Sequence, residues 1–353
     1  VINLLRRHGA LLLLGLALAL PTGAGAEVVK DLYTGQAPVA DRSQKALAQA
    51  AQEALSQVLV KVSGSTEVLE LPGIPAALNN AMSQAQQFSY ARTDDPDQPL
   101  AARFEFSQGW VSGLLREAGA PLWTANRPSV LLWLVQDSPQ GRQFVNRETA
   151  PELVRKLEAD FRARGVPLRF PLFDLADAAA LSPAQAWSLG EVALRQASAR
   201  YRSDNILAGR LSELSGGQWL GDWAYFTDKD RVDRSASPES REDFLGAGAA
   251  LVAETMAARY AVAAGAAPAT GTAMTVSNVR SYADYAAIVS WLEGLELVEQ
   301  ARVEHISGDR LQLRLSAQAD AGQLAALIQL NKRLVPATAP GATDELRYQW
   351  QNP

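Results

Sequence analysis

The 353-residue chain contains no cysteine and only two histidines, His8 and His305. Without cysteine there is no disulfide framework and no thiolate nucleophile, so the fold must rest on hydrophobic burial. The same absence excludes lipid attachment through an N-terminal cysteine. So few histidines leave zinc with carboxylates alone, and no metal or other cofactor is expected. A histidine-dependent triad would rest on His305, and no G-x-S-x-G elbow accompanies it. Walker and G-x-G-x-x-G loops are missing, and "DKDRVD" lacks the glycine and distal glutamate of a calcium loop. Positive charge is also short: 33 Lys and Arg stand against 38 Asp and Glu, a formal charge of -5. That balance argues against a general nucleic-acid binder.

Long apolar runs are confined to the start. "VINLLRRHGALLLLGLALALPTGAGAEVV" has a basic pair, Arg6-Arg7, then an apolar run from Gly9 to Leu20 and the small residues Ala24-Gly25-Ala26. This is the pattern of a secretory signal peptide over residues 1–26, with cleavage expected before Glu27 and the mature protein expected in the periplasm. Cleavage would take the formal charge from -5 to -7. The next most apolar stretch, 247–267, is interrupted by Glu254 and Arg259. No integral membrane segment is therefore expected after cleavage.

The remainder reads as α/β (α+β): a mixed sheet flanked by helices, followed by a small C-terminal ferredoxin-like α/β sandwich. An N-terminal α/β unit is expected over 27–126. It would open on a strand at Val28–Tyr33 and a polar turn, "TGQAPVADRS". A long helix then carries Leu47, Ala51, Ala54, Leu55, Val58 and Leu59 on one stripe, capped by Asp41 or Ser43 and stopped at Gly64. "LPGIPAALNNAMSQAQQFSYAR" reads as a loop and a second helix, and Phe104 and Phe106 alternate as in a strand. A central α/β domain is expected over 127–262. Val130–Val135 is continuously apolar, as in a strand buried on both faces. "VPLRFPLFD" reads as the next strand, and Ser182, Pro183 and Gln185 begin a helix as a capping box. A linker is expected over 263–273, the ferredoxin-like domain over 274–338 and a loosely held polar tail over 339–353.

Within the central domain, "SDNILAGRL" and "QWLGDWAYF" form a hairpin spanning 204–226. Trp219, Trp223 and Tyr225 share one face of its second strand, and Leu220, Ala224 and Phe226 the other. Aromatics so placed ordinarily pack on a helix; exposed, they would make a ligand surface. Asp204 stands at the mouth of the first strand, where a cap or Asx turn is the ordinary role. Arg210 can pair across the strands with Asp222. The charged stretch 228–243 reads as a solvated loop. Trp219, Trp223, Tyr225, Asp204 and Arg210 are thus the candidate binding residues; no catalytic or metal-binding set is expected.

The leader, "YTGQAPVADRSQKALAQAAQEALSQVLVKVSG", "RPSVLLWLV" and "DNILAGRL" with "GQWLGDWAYF" together resemble the bacterial family catalogued as domain of unknown function 2066, over about Val28 to Ala261. The resemblance implies an exported protein and carries no catalytic residues. The middle unit is also similar in architecture to envelope-assembly proteins of the curli-secretion and penicillin-binding-protein-activator type, whose domains mostly mediate protein contacts. The resulting expectation is a non-enzymatic periplasmic accessory or scaffold protein mediating protein-protein contacts in the cell envelope, with envelope proteins as partners. The alternatives are a module binding peptidoglycan or another envelope ligand, and a carboxylate-dependent hydrolase.

Overall fold

A computed structural model describes residues 27–93, 100–139, 141–214, 217–262, 271–330, 333–337 and 345–351. The expected signal peptide, residues 1–26, and most of the expected linker, residues 263–270, lie outside the described residues. The fold is mixed α/β, with mixed sheets flanked by helices.

The N-terminal unit contains β1 (Glu27–Val28), β2 (Thr34–Pro38), α1 (Gln44–Ser63), α2 (Ile74–Asn79), α3 (Ala81–Gln84), β3 (Ala85–Arg92), β4 (Leu100–Phe106), α4 (Gln108–Glu117) and β5 (Asn126–Arg127). Ser43 caps α1 by accepting from the Ala46 amide, and Gly64 ends it at φ 82°. The apolar stripe of α1 packs on the sheet β2-β4-β3. Two expectations fail here. The strand expected at Val28–Tyr33 is only β1, and the supposed polar turn forms β2, because Gly35 lets the backbone lie directly against Ala54 of α1. The second helix stops at Gln84, and Phe88 and Tyr90 join the sheet by alternation.

The central unit contains β6 (Val130–Ser138), β7 (Gly141–Phe144), α5 (Pro151–Ala163), β8 (Leu168–Arg169), α6 (Leu175–Ala180), α7 (Pro183–Trp187), α8 (Glu191–Ser198), β9 (Ile206–Glu213), β10 (Trp219–Phe226), β11 (Arg231–Ala236) and α9 (Arg241–Tyr260). Its sheet runs β11-β10-β9-β6-β7, with β8 also beside β6; β6 is parallel to β8 and β9. Val130, Leu132 and Leu134 face α5 and α9, while Leu131, Trp133 and Val135 face the layer of α6 to α8. Ser182 and Gln185 close a capping box at α7. The stretch read as a solvated loop instead contributes β11, whose alternating exposure fits a strand at the sheet's end.

The C-terminal unit contains β12 (Thr272–Ser277), α10 (Tyr282–Glu293), β13 (Val298–Ser307), β14 (Arg310–Ala317), α11 (Ala321–Gln329), β15 (Leu334–Pro336) and β16 (Glu345–Trp350). The sheet order β13-β14-β12-β16-β15 departs from the expected ferredoxin-like order by one insertion. The tail expected to be loosely held supplies β16, which slots between β12 and β15. Its Tyr348 and Trp350 are buried on alternate positions, and Trp350 Nε1 donates to Asp284 Oδ1 at 3.0 Å.

Two side chains stitch the units together. The fully buried Arg127 guanidinium donates to the carbonyls of Lys61, Trp123, Thr124, Arg164 and Gly165 at 2.7–3.2 Å and lies 3.8 Å over the Trp123 ring. Burial pushes its pKa down to about 9, and these five carbonyls take the place of water around a group still charged at neutral pH. Glu296 of the C-terminal unit accepts from the Tyr33 hydroxyl, from Gln108 Nε2 at 2.8 Å and from the Ala125 amide at 2.9 Å. The Leu122–Val262 bridge and an Arg116–Gln318 hydrogen bond at 2.8 Å add to these ties.

Candidate functional site: a leucine loop on the central unit

Strand pairing places Arg210 opposite Asp222, and Arg210 Nε donates to Asp222 Oδ2 at 2.8 Å. Ser235 of β11 donates to the other oxygen of Asp222 at 2.6 Å, so the carboxylate ties three strands. Trp223 and Tyr225 are 0% exposed. Trp223 stacks on Phe244 of α9 at 4.5 Å and donates from Nε1 to the Phe244 carbonyl at 3.0 Å. Neither ring offers surface to a ligand. Trp219 is half-buried under the Arg241 guanidinium, 5.5 Å from its ring. The three aromatics therefore share one face, as their alternation requires, but as core.

Asp204 lies apart from them, exposed at the rim of a 350 Å³ cleft between the central unit and α11. Ser129, Asn205, Lys229 and Gln329 also line it, with Asp228 paired to Arg259 at 2.6 Å. The Arg259 hydrogen bond holds the Asp228 carboxyl below the usual carboxylate range. The cleft opens at the end of the sheet where the parallel strands β6 and β9 begin. Sites in open α/β sheets gather at the opposite, carboxyl end of such strands. Among the described residues, no group of three or more His, Asp or Glu is placed to hold a metal ion.

A different segment stands out. The expected strand 166–174 is paired only at Leu168–Arg169. Pro171 lacks the amide needed to continue a ladder, and Phe173 turns the chain away at φ 52°, a left-handed conformation rare for a bulky residue. The turn leaves Leu172 70% and Leu175 90% exposed.

The loop is held from beneath. The Phe173 ring packs on Trp133 at 5.8 Å and on Phe144 at 5.4 Å. Its amide donates to Asp177 Oδ2 at 2.8 Å, and the Leu172 amide donates to the Tyr201 hydroxyl at 2.8 Å. Tyr201 in turn donates to Asp177 Oδ2 at 2.5 Å. Arg200 reaches both oxygens of Asp174, at 2.6 and 2.9 Å, and Asp177 Oδ1 at 3.0 Å. Asp174 also caps α6 through the Asp177 amide. The Arg200 hydrogen bonds hold the Asp174 carboxyl at about 2. Desolvation, reinforced by Asp177, pushes the Tyr201 phenol up to about 12.

A backbone cost of about 1–3 kcal/mol at a left-handed bulky residue persists only where its surroundings over-determine it. Here an aromatic cluster and a two-carboxylate, one-guanidinium network do so. What they display is apolar. Beside the loop lies a 420 Å³ depression bounded by Leu168, Phe170 and Leu172 on one side and Asn146, Arg147 and Glu158 on the other. Val192 on α8, a helix packed against α6, is exposed as well. None of these residues was singled out by sequence. The available signal was the density of Phe170, Leu172, Phe173 and Leu175 around a proline, more apolar surface than so short an edge can bury.

Residues 26–124, the N-terminal unit, match the model of a family described as a domain of unknown function (DUF8605). That match overturns the resemblance to domain of unknown function 2066, a different family. A search of curated proteins finds no match to the chain.

Proposed function

We propose that this protein is a non-enzymatic accessory or scaffold protein of the bacterial cell envelope, exported to the periplasm, and that it engages a protein partner through loop 170–175. One observation carries the reading: two leucines are held in solvent by a strained, fully networked loop. Exposed apolar side chains on a rigid platform lose little conformational entropy on binding, which is the property of an interaction anchor. Export is supported by the pattern of residues 1–26 and contact with envelope proteins by the loop. The aromatic ligand surface is set aside because Trp223 and Tyr225 are buried.

The test places a photo-crosslinking residue at Leu175 and irradiates intact cells. A discrete crosslinked envelope protein is expected, and it should disappear when Leu172→Ser is added. Folding stability should change by no more than about 0.5 kcal/mol, because an exposed side chain leaves no cavity. Crosslinks that are absent, or indifferent to Leu172→Ser, refute the loop's role. Fractionation and N-terminal sequencing separately test export, with a mature start at or near Glu27 expected.

A further inference from the structure

Sheet edges expose unpaired backbone groups, and proteins ordinarily blunt them with charge, proline, irregular pairing or shortness. Most edges among the described residues are blunted in one of these ways. On β2, Gln57 caps the free backbone of Gln36, donating to its carbonyl at 2.9 Å and accepting from its amide at 3.1 Å, and Pro38 ends the strand. The edge strand β11 carries Arg231, Asp233 and Arg234. On β13 stand Glu299, Arg302, Glu304 and His305, together with two breaks in register. The strand β15 has three residues and ends in Pro336, while β7 and β8 are four and two residues long.

The exception is β3. It is eight residues long, ends the sheet β2-β4-β3 and carries no charge from Gln86 to Ala91; its one break in register lies at its start, between Ala85 and Gln87. Phe88 at its middle is 43% exposed while touching Phe104 at 5.9 Å and Tyr90 at 6.0 Å. An aromatic row thus runs from the buried core to the open edge and stops there.

We infer that β3 is a homodimer edge, occupied by β3 of a second copy in antiparallel pairing to make a continuous six-stranded sheet. The sequence of the strand is self-complementary. A two-fold axis at Phe88 sets Phe88 against its copy and Gln87 against Ser89 within the regular run Gln87 to Arg92. An axis at Ser89 sets Phe88 against Tyr90 twice and Gln87 against Ala91. Opposed residues share a face in either register, as antiparallel pairing requires. In neither does Arg92, the strand's one charged residue, meet another cation. Such an isologous contact is closed, consuming the edge rather than propagating it.

Because the chain has no cysteine, a single introduced one reports proximity cleanly. Sedimentation velocity of the full chain in a concentration series is expected to show a monomer–dimer equilibrium. Phe88→Lys and Ser89→Lys should each raise the dimer dissociation constant by about tenfold or more, since each sets lysines close across the axis. Far-ultraviolet circular dichroism checks that both variants fold; Ser89 is exposed, so its variant stands if Phe88→Lys does not. Under mild oxidation Ser89→Cys should form a disulfide-linked dimer and Ser212→Cys, on the central sheet, should not. A wild-type chain monomeric throughout, a dimer indifferent to both lysines, or equal crosslinking at 89 and 212 overturns the proposal. A monomer that instead gains an ordered β3 on adding an extended peptide would assign the edge to another occupant and overturns it too.

Discussion

The ring of Trp223 is wedged between two glycines, and that arrangement makes a prediction whose sign depends on the background. Gly209 stands directly opposite on β9, and Gly248 approaches from α9. A Cβ at Gly248 would stand 2.6 Å from the indole, closer than carbon atoms approach, and the ring is fully buried and cannot swing aside. Removing the ring alone, Trp223→Ala, should cost about 3–5 kcal/mol through lost contact and a residual cavity. Gly248→Ala alone combines two effects. Alanine is about 1 kcal/mol better than glycine within a helix. Overpacking costs about 1–3 kcal/mol, so the net effect should be neutral to destabilising.

In the Trp223→Ala background the clash is gone. Gly248→Ala should then stabilise by about 1–2 kcal/mol, through helix propensity and the methyl group it adds to the cavity. The two changes should therefore couple by about 1–4 kcal/mol, overlapping the range of about 0.5–3 kcal/mol for residues in direct contact. Urea denaturation of the four proteins measures this, followed by far-ultraviolet circular dichroism because the substitution removes a fluorophore. If Gly248→Ala shifts the midpoint equally in both backgrounds, the ring is not wedged against α9 and the structural reading of the hairpin is wrong.

Glu296→Gln removes a charged acceptor from Tyr33, Gln108 and the Ala125 amide, and should cost about 1–3 kcal/mol and speed proteolytic release of the C-terminal unit; unchanged proteolysis would show the tie to be incidental. Burial pushes the Lys61 ammonium down to about 8 from about 10.5, so between those values the unfolded chain binds more protons and stability rises with pH. From pH of about 8 to 9.5 Lys61 should contribute about 1–2 kcal/mol of gain, which Lys61→Met loses while keeping the smaller rise due to Arg127, whereas an identical profile in both proteins would refute the buried Lys61 charge. Asp174 has the opposite window: its carboxyl is held at about 2 by Arg200, so its contribution is present above the ordinary value and fades as pH falls toward 2. Protection of the Leu172 and Phe173 amides against hydrogen exchange, relative to their intrinsic rates, should fall across that range and, in Arg200→Met, already at neutral pH; protection unchanged in the variant would mean that the aromatic cluster alone holds the loop.

Much of the fold could be read from local signals because those signals act locally. The stripe on α1, its Ser43 cap, the doubly buried run of β6 and the box of Ser182 and Gln185 each depend on residues a few positions apart. The missed strands depend on contacts made far along the chain. Strand β2 is spelled with glycine and proline and exists because Gly35 can approach Ala54. The charges of β11 mark an edge as readily as a loop. Strand β16 alternates Tyr348 and Trp350 with Arg347 and Gln349, but its place between β12 and β15 is set by the rest of the sheet.

The candidate site was hidden for a related reason. Trp219, Trp223 and Tyr225 drew attention by size, yet large rings are what a core next to a helix requires, and Gly209 and Gly248 make their room. Leu172 and Leu175 look like ordinary core residues in the sequence; only their exposure sets them apart. That exposure is fixed by Arg200 and Tyr201, some 25 to 30 positions away, acting through Asp174 and Asp177. Local apolar patterning therefore points inward at the very place where the folded chain points outward. A short sequence window registers the leucines but not the ion network that turns them. The network costs buried polar surface and a left-handed phenylalanine, and a core-seeking leucine pair needs neither. Its presence is the observation on which the proposed contact role of the loop rests.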